Sequence, residues 1–236
     1  MEFSKRTIII STWNILKNHL SLWIFIMLLI VGINLFLSEI QDMLLRDITY
    51  QSVLFTIAAY LFQMGLSLGM LRIALNIINT KDATFKEVFG SFHMLIPYMS
   101  ATIIFLAIML LAASPGIVVL FISISEDWEA VASLDWLNNG TMFIPALLII
   151  MPATYVSIRL QFYDYFLVDE ECSILESITN SAKITKGYVG ELFLLGAILS
   201  IIILISIIPL GAGLIISIPL GIMVNTYVYL RLKDDP

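Results

Sequence analysis

Charge is scarce in this sequence. Only 13% of its 236 residues are Asp, Glu, Lys or Arg, whereas soluble domains carry about 25% charged residues. Hydrophobic residues make up 60%, and the mean hydropathy is +0.98. Because so few charges cannot hydrate the surface of a globular domain of this length, a soluble fold is excluded. The formal net charge of −6 also argues against nucleic acid as a partner, since nucleic-acid-binding domains present a basic patch.

Cysteine and histidine are nearly absent as well. The single cysteine, Cys172, cannot form an internal disulfide, and the acidic run 169–171 before it disfavours the thiolate that a catalytic cysteine needs. His19 and His93 are the only histidines, and they show no metal-ligand spacing. Zinc-protease, Walker-type and nucleophile-elbow motifs are missing too. We therefore expect no metal, no cofactor and no enzyme activity.

Long apolar runs fill the chain instead. A membrane-spanning helix needs about 20 apolar residues, and six runs approach that length. The first run lacks a small-residue cleavage site, so we interpret it as an uncleaved helix rather than a signal peptide. We predict an all-α polytopic membrane bundle that forms one domain over residues 1–236. Its six transmembrane helices are expected near 21–37, 53–71, 95–114, 141–160, 190–208 and 213–231.

A proline interrupts the third run. The apolar stretch from Met94 to Ile124 is too long for one simple span, and it contains Ser114-Pro115-Gly116. Proline lacks a backbone donor and glycine tolerates a turn, so we expect the helix to end there. Residues 117–125 would then form a short re-entrant or interfacial segment.

The basic residues predict the orientation of the bundle. With the N-terminus in the cytoplasm, eleven of the twelve Lys and Arg residues lie on the cytoplasmic side and only Arg46 lies outside. This asymmetry follows the positive-inside rule. The outer loop 125–140 is acidic, and Trp128 and Trp136 are its expected interfacial anchors. We expect a multi-pass protein of a bacterial cell membrane with both termini in the cytoplasm.

An internal repeat organises the chain. The fourth predicted helix ends in TYVSIRL (154–160) and the sixth in TYVYLRL (226–232), and the second ends in a weaker match around Arg72. The three arginines enter from the same side, so the hairpins are parallel repeats rather than inverted ones. The predicted repeat units cover approximately 4–72, 84–159 and 173–231.

Short segments before the hairpins share a second pattern. Thr84 with Glu87, and Ser173 with Glu176, fit the capping box that begins a helix. Apolar residues follow each box at helical spacing, and a similar stretch around Trp13 precedes the first span. We therefore predict cytoplasmic interfacial amphipathic helices between the hairpins.

One stretch of the chain also resembles a known family. The residues 168–171 (VDEE), 173–181, 183–187 (KITKG) and 192–195 (LFLL) are similar to a pattern of bacterial six-helix integral-membrane families of unknown function. Those families are related to the membrane domain of some glycerophosphodiester phosphodiesterases. The resemblance implies a six-helix bundle and no established activity. Since no phosphodiesterase domain follows, we do not expect that activity here.

Arg72, Arg159 and Arg231 are the main candidates for ligand contact. Three guanidinium groups at one membrane depth can bind anionic lipid headgroups or a phosphate-bearing ligand. The alternative is that they anchor the helices at the cytoplasmic interface. Asp164 and Glu191 are candidate ion-pair partners for Arg159, because an unpaired charge in hydrocarbon is costly; a proton relay is the alternative.

The second predicted helix carries a polar and small-residue segment. Gly65 and Gly69 have the spacing that permits close helix packing, and Gln63 is the polar residue nearest to the middle of the membrane. Packing between helices is one interpretation of this segment, and a polar pore lining is the other.

The function predicted from these features is a non-catalytic integral membrane protein. A membrane-stress, immunity or transporter-accessory scaffold component fits best, with the lipid bilayer, anionic lipids and a membrane protein or ATPase subunit as partners. The alternative is a transporter or channel for a small or lipidic solute. Parallel repeats favour transport, whereas the lack of a midplane charge argues against it.

Overall fold

The computed structural model describes residues 4–44, 50–81, 83–126, 143–209 and 211–234. All regular structure in these ranges is helical. Two short 3₁₀ turns, Phe85–Val88 and Phe92–Met94, precede the fourth helix. The α-helices in chain order are α1 (Lys5–Asn18), α2 (Leu20–Leu44), α3 (Tyr50–Ile78), α4 (Leu95–Glu126), α5 (Phe143–Leu160), α6 (Tyr163–Glu170), α7 (Ile174–Ile184), α8 (Val189–Ile207) and α9 (Leu214–Asp234).

Six helical stretches in these ranges are long and apolar enough to cross a membrane. They contain α2, α3, α4, α5 together with α6, α8 and α9, which matches the predicted number and order of spans. Large apolar side chains cover their outer surfaces, and Phe36, Leu110 and Phe121 are 65%, 64% and 73% exposed. Hydrocarbon is the environment in which such a surface is stable. The chain is therefore a multi-pass helical membrane protein.

The prediction that the third span ends at Pro115 is wrong. Helix α4 continues through Pro115 to Glu126, so residues 117–125 are helical rather than a separate re-entrant segment. Proline removes the N–H that would bond to the carbonyl four residues earlier, which is that of Leu111. The Ser114 hydroxyl donates to this carbonyl at 2.8 Å. A serine that takes over the vacant acceptor allows a membrane helix to continue past a proline.

Gly116 has a different role from the turn that its sequence context suggests. It is buried, and an ideal Cβ at this position would lie 2.6 Å from the backbone nitrogen of Ile149. Helices α4 and α5 therefore pack backbone to backbone at this point. The close approach explains why a glycine follows the proline inside a continuous helix.

Helix α9 is the centre of the bundle. In the most apolar 18 residues of α9, 44% of the residues are buried, compared with 11–22% in the corresponding stretches of the other five spans. It packs against α1, α2, α3 and α8, and Met223, Val224 and Tyr229 are fully buried. On α1, Ile8, Thr12 and Leu16 are buried, and their spacing of four residues places them on the same side of the helix. The N-terminal helix is therefore part of the core.

The two predicted packing glycines, Gly65 and Gly69, contact the 3₁₀ turns rather than another long helix. An ideal Cβ at Gly65 would overlap the ring of Phe92, and one at Gly69 would overlap the carbonyl oxygen of Val88. Glu87 holds the first turn, because its Oε1 accepts the Thr84 N–H at 3.3 Å. The segment that we expected to be one amphipathic helix is thus folded into two tight turns against α3.

Some sequence predictions fall outside the described residues. Arg46, Trp128 and Trp136 lie there, as does most of the acidic loop 125–140. They stay predictions.

Replacing Gly69 with alanine should destabilise the protein. The added Cβ meets backbone atoms of the first 3₁₀ turn, and overpacking of this kind typically costs about 1–3 kcal/mol. We expect the Gly69→Ala variant to show a lower Tm in detergent than the wild type. The matched control is Gly196→Ala in α8, where nothing lies within 4 Å of the added atom. Equal Tm values for the two variants would contradict the close contact.

Candidate functional site at the charged end of the bundle

Charged side chains gather where α3, α6 and α9 end and where α1 and α8 begin. Hydrogen bonds and ion pairs connect these helix ends, although the residues are far apart in sequence. We call this region the charged end. The side chains that form its connections are Lys5, Arg72, His93, Asp169, Glu170, Glu171, Glu191, Tyr229 and Lys233.

Helix α6 is the centre of the charged end. The sequence predicts a cytoplasmic loop after Arg159, but α6 is buried between α3, α4 and α9. Phe166, Leu167 and Val168 are 3% exposed or less, and the Phe166 ring meets that of Tyr229 edge to face with centroids 5.1 Å apart. The sequence signal for this helix is the aromatic and apolar run 162–168. This run is too short to be recognised as a membrane span.

Side chains from α3 and α9 bind the last turn of α6. The Arg72 guanidinium donates a hydrogen bond to the Val168 carbonyl. The carboxylate of Asp169 accepts the Tyr229 hydroxyl at 3.0 Å and the Lys233 ammonium at 2.7 Å. Lys233 also pairs with Glu170 at 2.9 Å. Cations at a helix C-terminus stabilise its free carbonyls, so this end of α6 is held by two other helices.

A tight corner connects α6 to α7. Glu171 adopts a left-handed backbone with φ 50°, and Ser173 then begins α7 with the predicted capping box. The Ser173 Oγ accepts the Glu176 N–H at 3.4 Å, and Glu176 Oε2 accepts the Ser173 N–H at 3.0 Å. Hydrogen bonds from the Ser173 hydroxyl and backbone lower the pKa of Glu176. Burial, followed by the nearby Glu170 charge, raises the pKa of the Cys172 thiol.

The three predicted arginines have different environments. Arg72 is half-buried and bonded to Val168. Arg159 is half-buried and forms no ion pair within the described part of the chain, but its carbonyl accepts the hydroxyl of Thr185 at 2.9 Å. Arg231 is exposed and lies 5.9 Å from the ring centre of Tyr227. They therefore do not form a symmetric set.

The two predicted acidic partners differ as well. Glu191, at the start of α8, pairs with Lys5 of α1 rather than with Arg159. Asp164, in the first turn of α6, accepts the backbone N–H of Tyr165 at 3.0 Å. Among the residues that the structure describes, Asp164 has no ion-pair partner. Its carboxylate instead lies beside a partly open cavity between helices.

Two further observations complete the site. Gln63 is half-buried, and its backbone carbonyl accepts the Ser67 hydroxyl at 3.1 Å. Within the described ranges no three His, Cys, Asp or Glu residues are grouped so that they could hold a metal ion. Apart from the Arg72 bond to the Val168 carbonyl, the polar contacts of the charged end join side chains from different parts of the chain.

Residues 9–235 match the model of the family described as "Protein of unknown function (DUF975)". The match covers nearly the whole chain, so the protein belongs to this family. No curated protein and no solved structure matches the sequence.

Replacing Arg72 with methionine should destabilise the bundle. Methionine keeps much of the apolar length but leaves the Val168 carbonyl without its donor, and an unsatisfied buried acceptor typically costs about 1–3 kcal/mol. We expect a clear decrease of Tm in detergent. Arg231→Met is the matched control, because Arg231 is exposed and forms a cation–π contact only. A similar decrease in both variants would show that Arg72 has no special structural role.

Proposed function

Because the family has no assigned function, we propose one from the surface of the protein: a non-catalytic integral membrane protein whose charged end binds anionic lipids. In this role it acts as a scaffold, a stress or immunity component, or an accessory subunit of a membrane transporter. The carrying observation is a set of exposed Lys and Arg side chains without an acidic partner in the described part of the chain. They are Arg6, Lys17, Lys81, Lys86, Lys183, Lys186 and Arg231.

These cations differ in availability from the rest of the charged end. Lys5 and Lys233 are neutralised by Glu191, Asp169 and Glu170, and Arg72 is bonded to a carbonyl. Among the described residues the exposed set forms no ion pair within 4 Å, although Lys183 donates to Asn180 at 3.3 Å. Near an anionic leaflet each Lys or Arg contributes about 1 kcal/mol of attraction. Seven of them support a strong preference for anionic lipid.

Helix α1 supports contact with the membrane surface. Its buried side packs on α9, while its opposite side exposes Ile10 and Trp13, which are 47% and 38% exposed. Arg6 and Lys17 are exposed on the same helix. An apolar face with a tryptophan and flanking basic residues is typical of a helix that lies in the interface.

A cavity lined by both polar and apolar side chains offers room for a headgroup. It has a volume of about 520 Å³ and lies between α1 and the end of α3. Asn14, Asn18, His19 and Lys81 are among the residues that line it. Amide and ammonium donors together are suited to phosphate oxygens. This cavity is a better candidate for headgroup contact than the three arginines that the repeat singles out.

The orientation of the bundle and its division into repeats belong to the same proposal. We infer that the charged end faces the cytoplasm of a bacterial cell, because its basic residues follow the positive-inside rule. We also infer that α2–α3, α4–α5 and α8–α9 are three parallel hairpin repeats, each preceded by a short segment. The relation to the membrane domain of glycerophosphodiester phosphodiesterases stays a prediction, and no enzyme activity is proposed.

Neutralising part of the exposed set should reduce lipid retention. In the triple variant with Lys17, Lys81 and Lys86 replaced by Gln, we expect the preference for phosphatidylglycerol over phosphatidylcholine to fall about a hundredfold, because three charges at about 1 kcal/mol each are lost. Native mass spectrometry of protein extracted from defined liposomes measures this ratio. The control replaces the same three lysines by Arg, which keeps the charge and should keep the preference. An unchanged ratio in the Gln variant would refute lipid binding by these side chains.

Transport is the second candidate function, and the cavity beside Asp164 favours it. If the protein is a scaffold, liposomes that contain only this protein should show no more solute flux than empty liposomes. The assay uses radiolabelled amino acids, choline and inorganic ions, and the lysine-to-glutamine variant serves as a second sample. Reproducible flux above the background would replace the scaffold by a transporter. A stably co-purifying ATPase would instead specify the accessory role.

A further inference from the structure

A partly open cavity between helices brings a carboxylate next to aromatic and apolar side chains. It lies between α3, α4, α6 and α9 and has a volume of about 250 Å³. Ser67, Leu71, Tyr98, Asp164, Tyr165 and Ile222 are among its lining residues. An engineered cavity of about 150 Å³ is large enough to bind benzene, so this one has room for a small ring compound.

Among the described residues that line the cavity, Asp164 is the only acidic one. It is half-buried, and its carboxylate accepts the backbone N–H of Tyr165 at 3.0 Å and also interacts with its own backbone N–H. In the part of the chain that the structure describes, no side chain donates a hydrogen bond to this carboxylate and no cation pairs with it. A carboxylate in a membrane protein interior is strongly stabilised by a positive partner. The described residues do not supply that partner.

Ring packing positions the two tyrosines of the cavity wall. The Tyr98 ring stacks on that of Tyr163 with centroids 6.2 Å apart, and the Tyr165 ring lies 5.2 Å from that of Tyr229. These ring contacts do not neutralise Asp164. Aromatic faces attract cations, so the rings and the carboxylate favour the same sign of charge in a ligand.

We propose that this cavity binds a small organic cation, a protonated amine with an apolar body. Asp164 accepts the ammonium group, Tyr98 and Tyr165 flank it, and Leu71 with Ile222 contacts the apolar part. A metal ion fits the lining less well, because Mg²⁺ and Ca²⁺ require several oxygen ligands and apolar residues form much of this wall. The site is separate from the exposed lysines, so it does not depend on lipid binding at the charged end.

Binding of a charged probe and its neutral counterpart tests the site. The full chain is placed in nanodiscs of phosphatidylcholine and titrated calorimetrically with phenethylamine, benzylamine and cyclohexylamine. 2-Phenylethanol has nearly the shape of phenethylamine but no charge. We expect saturable binding of at least one amine and at least about tenfold weaker binding of the alcohol, since hydrogen bonds to charged groups are the stronger ones. This comparison requires no variant.

Two variants then locate the binding site. Asp164→Asn removes the charge but keeps an oxygen that can accept the Tyr165 N–H, so the fold should persist. We expect it to weaken amine binding at least about tenfold. Asp234→Asn is the control, because this exposed carboxylate lies on α9 outside the cavity. Unchanged amine affinity in Asp164→Asn, equal affinity for amine and alcohol, or no saturable binding of any amine would each refute the proposal.

Discussion

The burial of α6 is the contact on which the charged end depends. A helix of eight residues has many free carbonyls at its end, and in an apolar bundle each of them needs a partner. Arg72 from α3 supplies one, and Asp169 at the end of α6 binds Tyr229 and Lys233 of α9. The first turn of α6 faces inward and carries Asp164 into the cavity. One short helix therefore positions the contacts of Arg72, Tyr229 and Lys233 as well as the Asp164 carboxylate, while the Lys5–Glu191 pair joins α1 to α8.

The same requirement explains several local features of the spans. Pro115 is compatible with a continuous α4 because the Ser114 hydroxyl satisfies the vacant carbonyl of Leu111. Thr102 and Thr226 likewise donate to carbonyls four residues earlier, both at 2.8 Å. Hydroxyls that bond to their own helix do not need water, so they are stable within the membrane. Thr102 and Thr226 are thus satisfied within their own helices, whereas Asp164 carries a charge that has no ion-pair partner among the described residues.

The parts of the fold that depend on composition could be predicted from the sequence. Apolar length specifies the six spans, and local hydrogen-bond chemistry specifies the capping box at Ser173. The helix end at Pro115 was wrong, because a proline motif does not show whether a neighbouring serine replaces the lost bond. The position of α6 could not be predicted either, since its eight residues are too short to register as a span. Gly65 and Gly69 were identified as packing residues, but which segment contacts them is a question of tertiary structure.

The repeated sequence at the ends of α5 and α9 shows why a motif does not determine a role. Five of the seven residues are identical in 154–160 and 226–232, yet the chain continues differently after each. After Arg159 the chain continues into the buried helix α6. Arg231 lies three residues before the end of α9, and its side chain is exposed. One of the two differing positions follows this asymmetry: Tyr229 is fully buried and donates to Asp169, while the Ser157 hydroxyl donates to the Thr154 carbonyl of its own helix. Because the buried helix α6 follows Arg159 and not Arg231, these two arginines of the repeated sequence have different surroundings, and α6 places Asp164 beside the cavity.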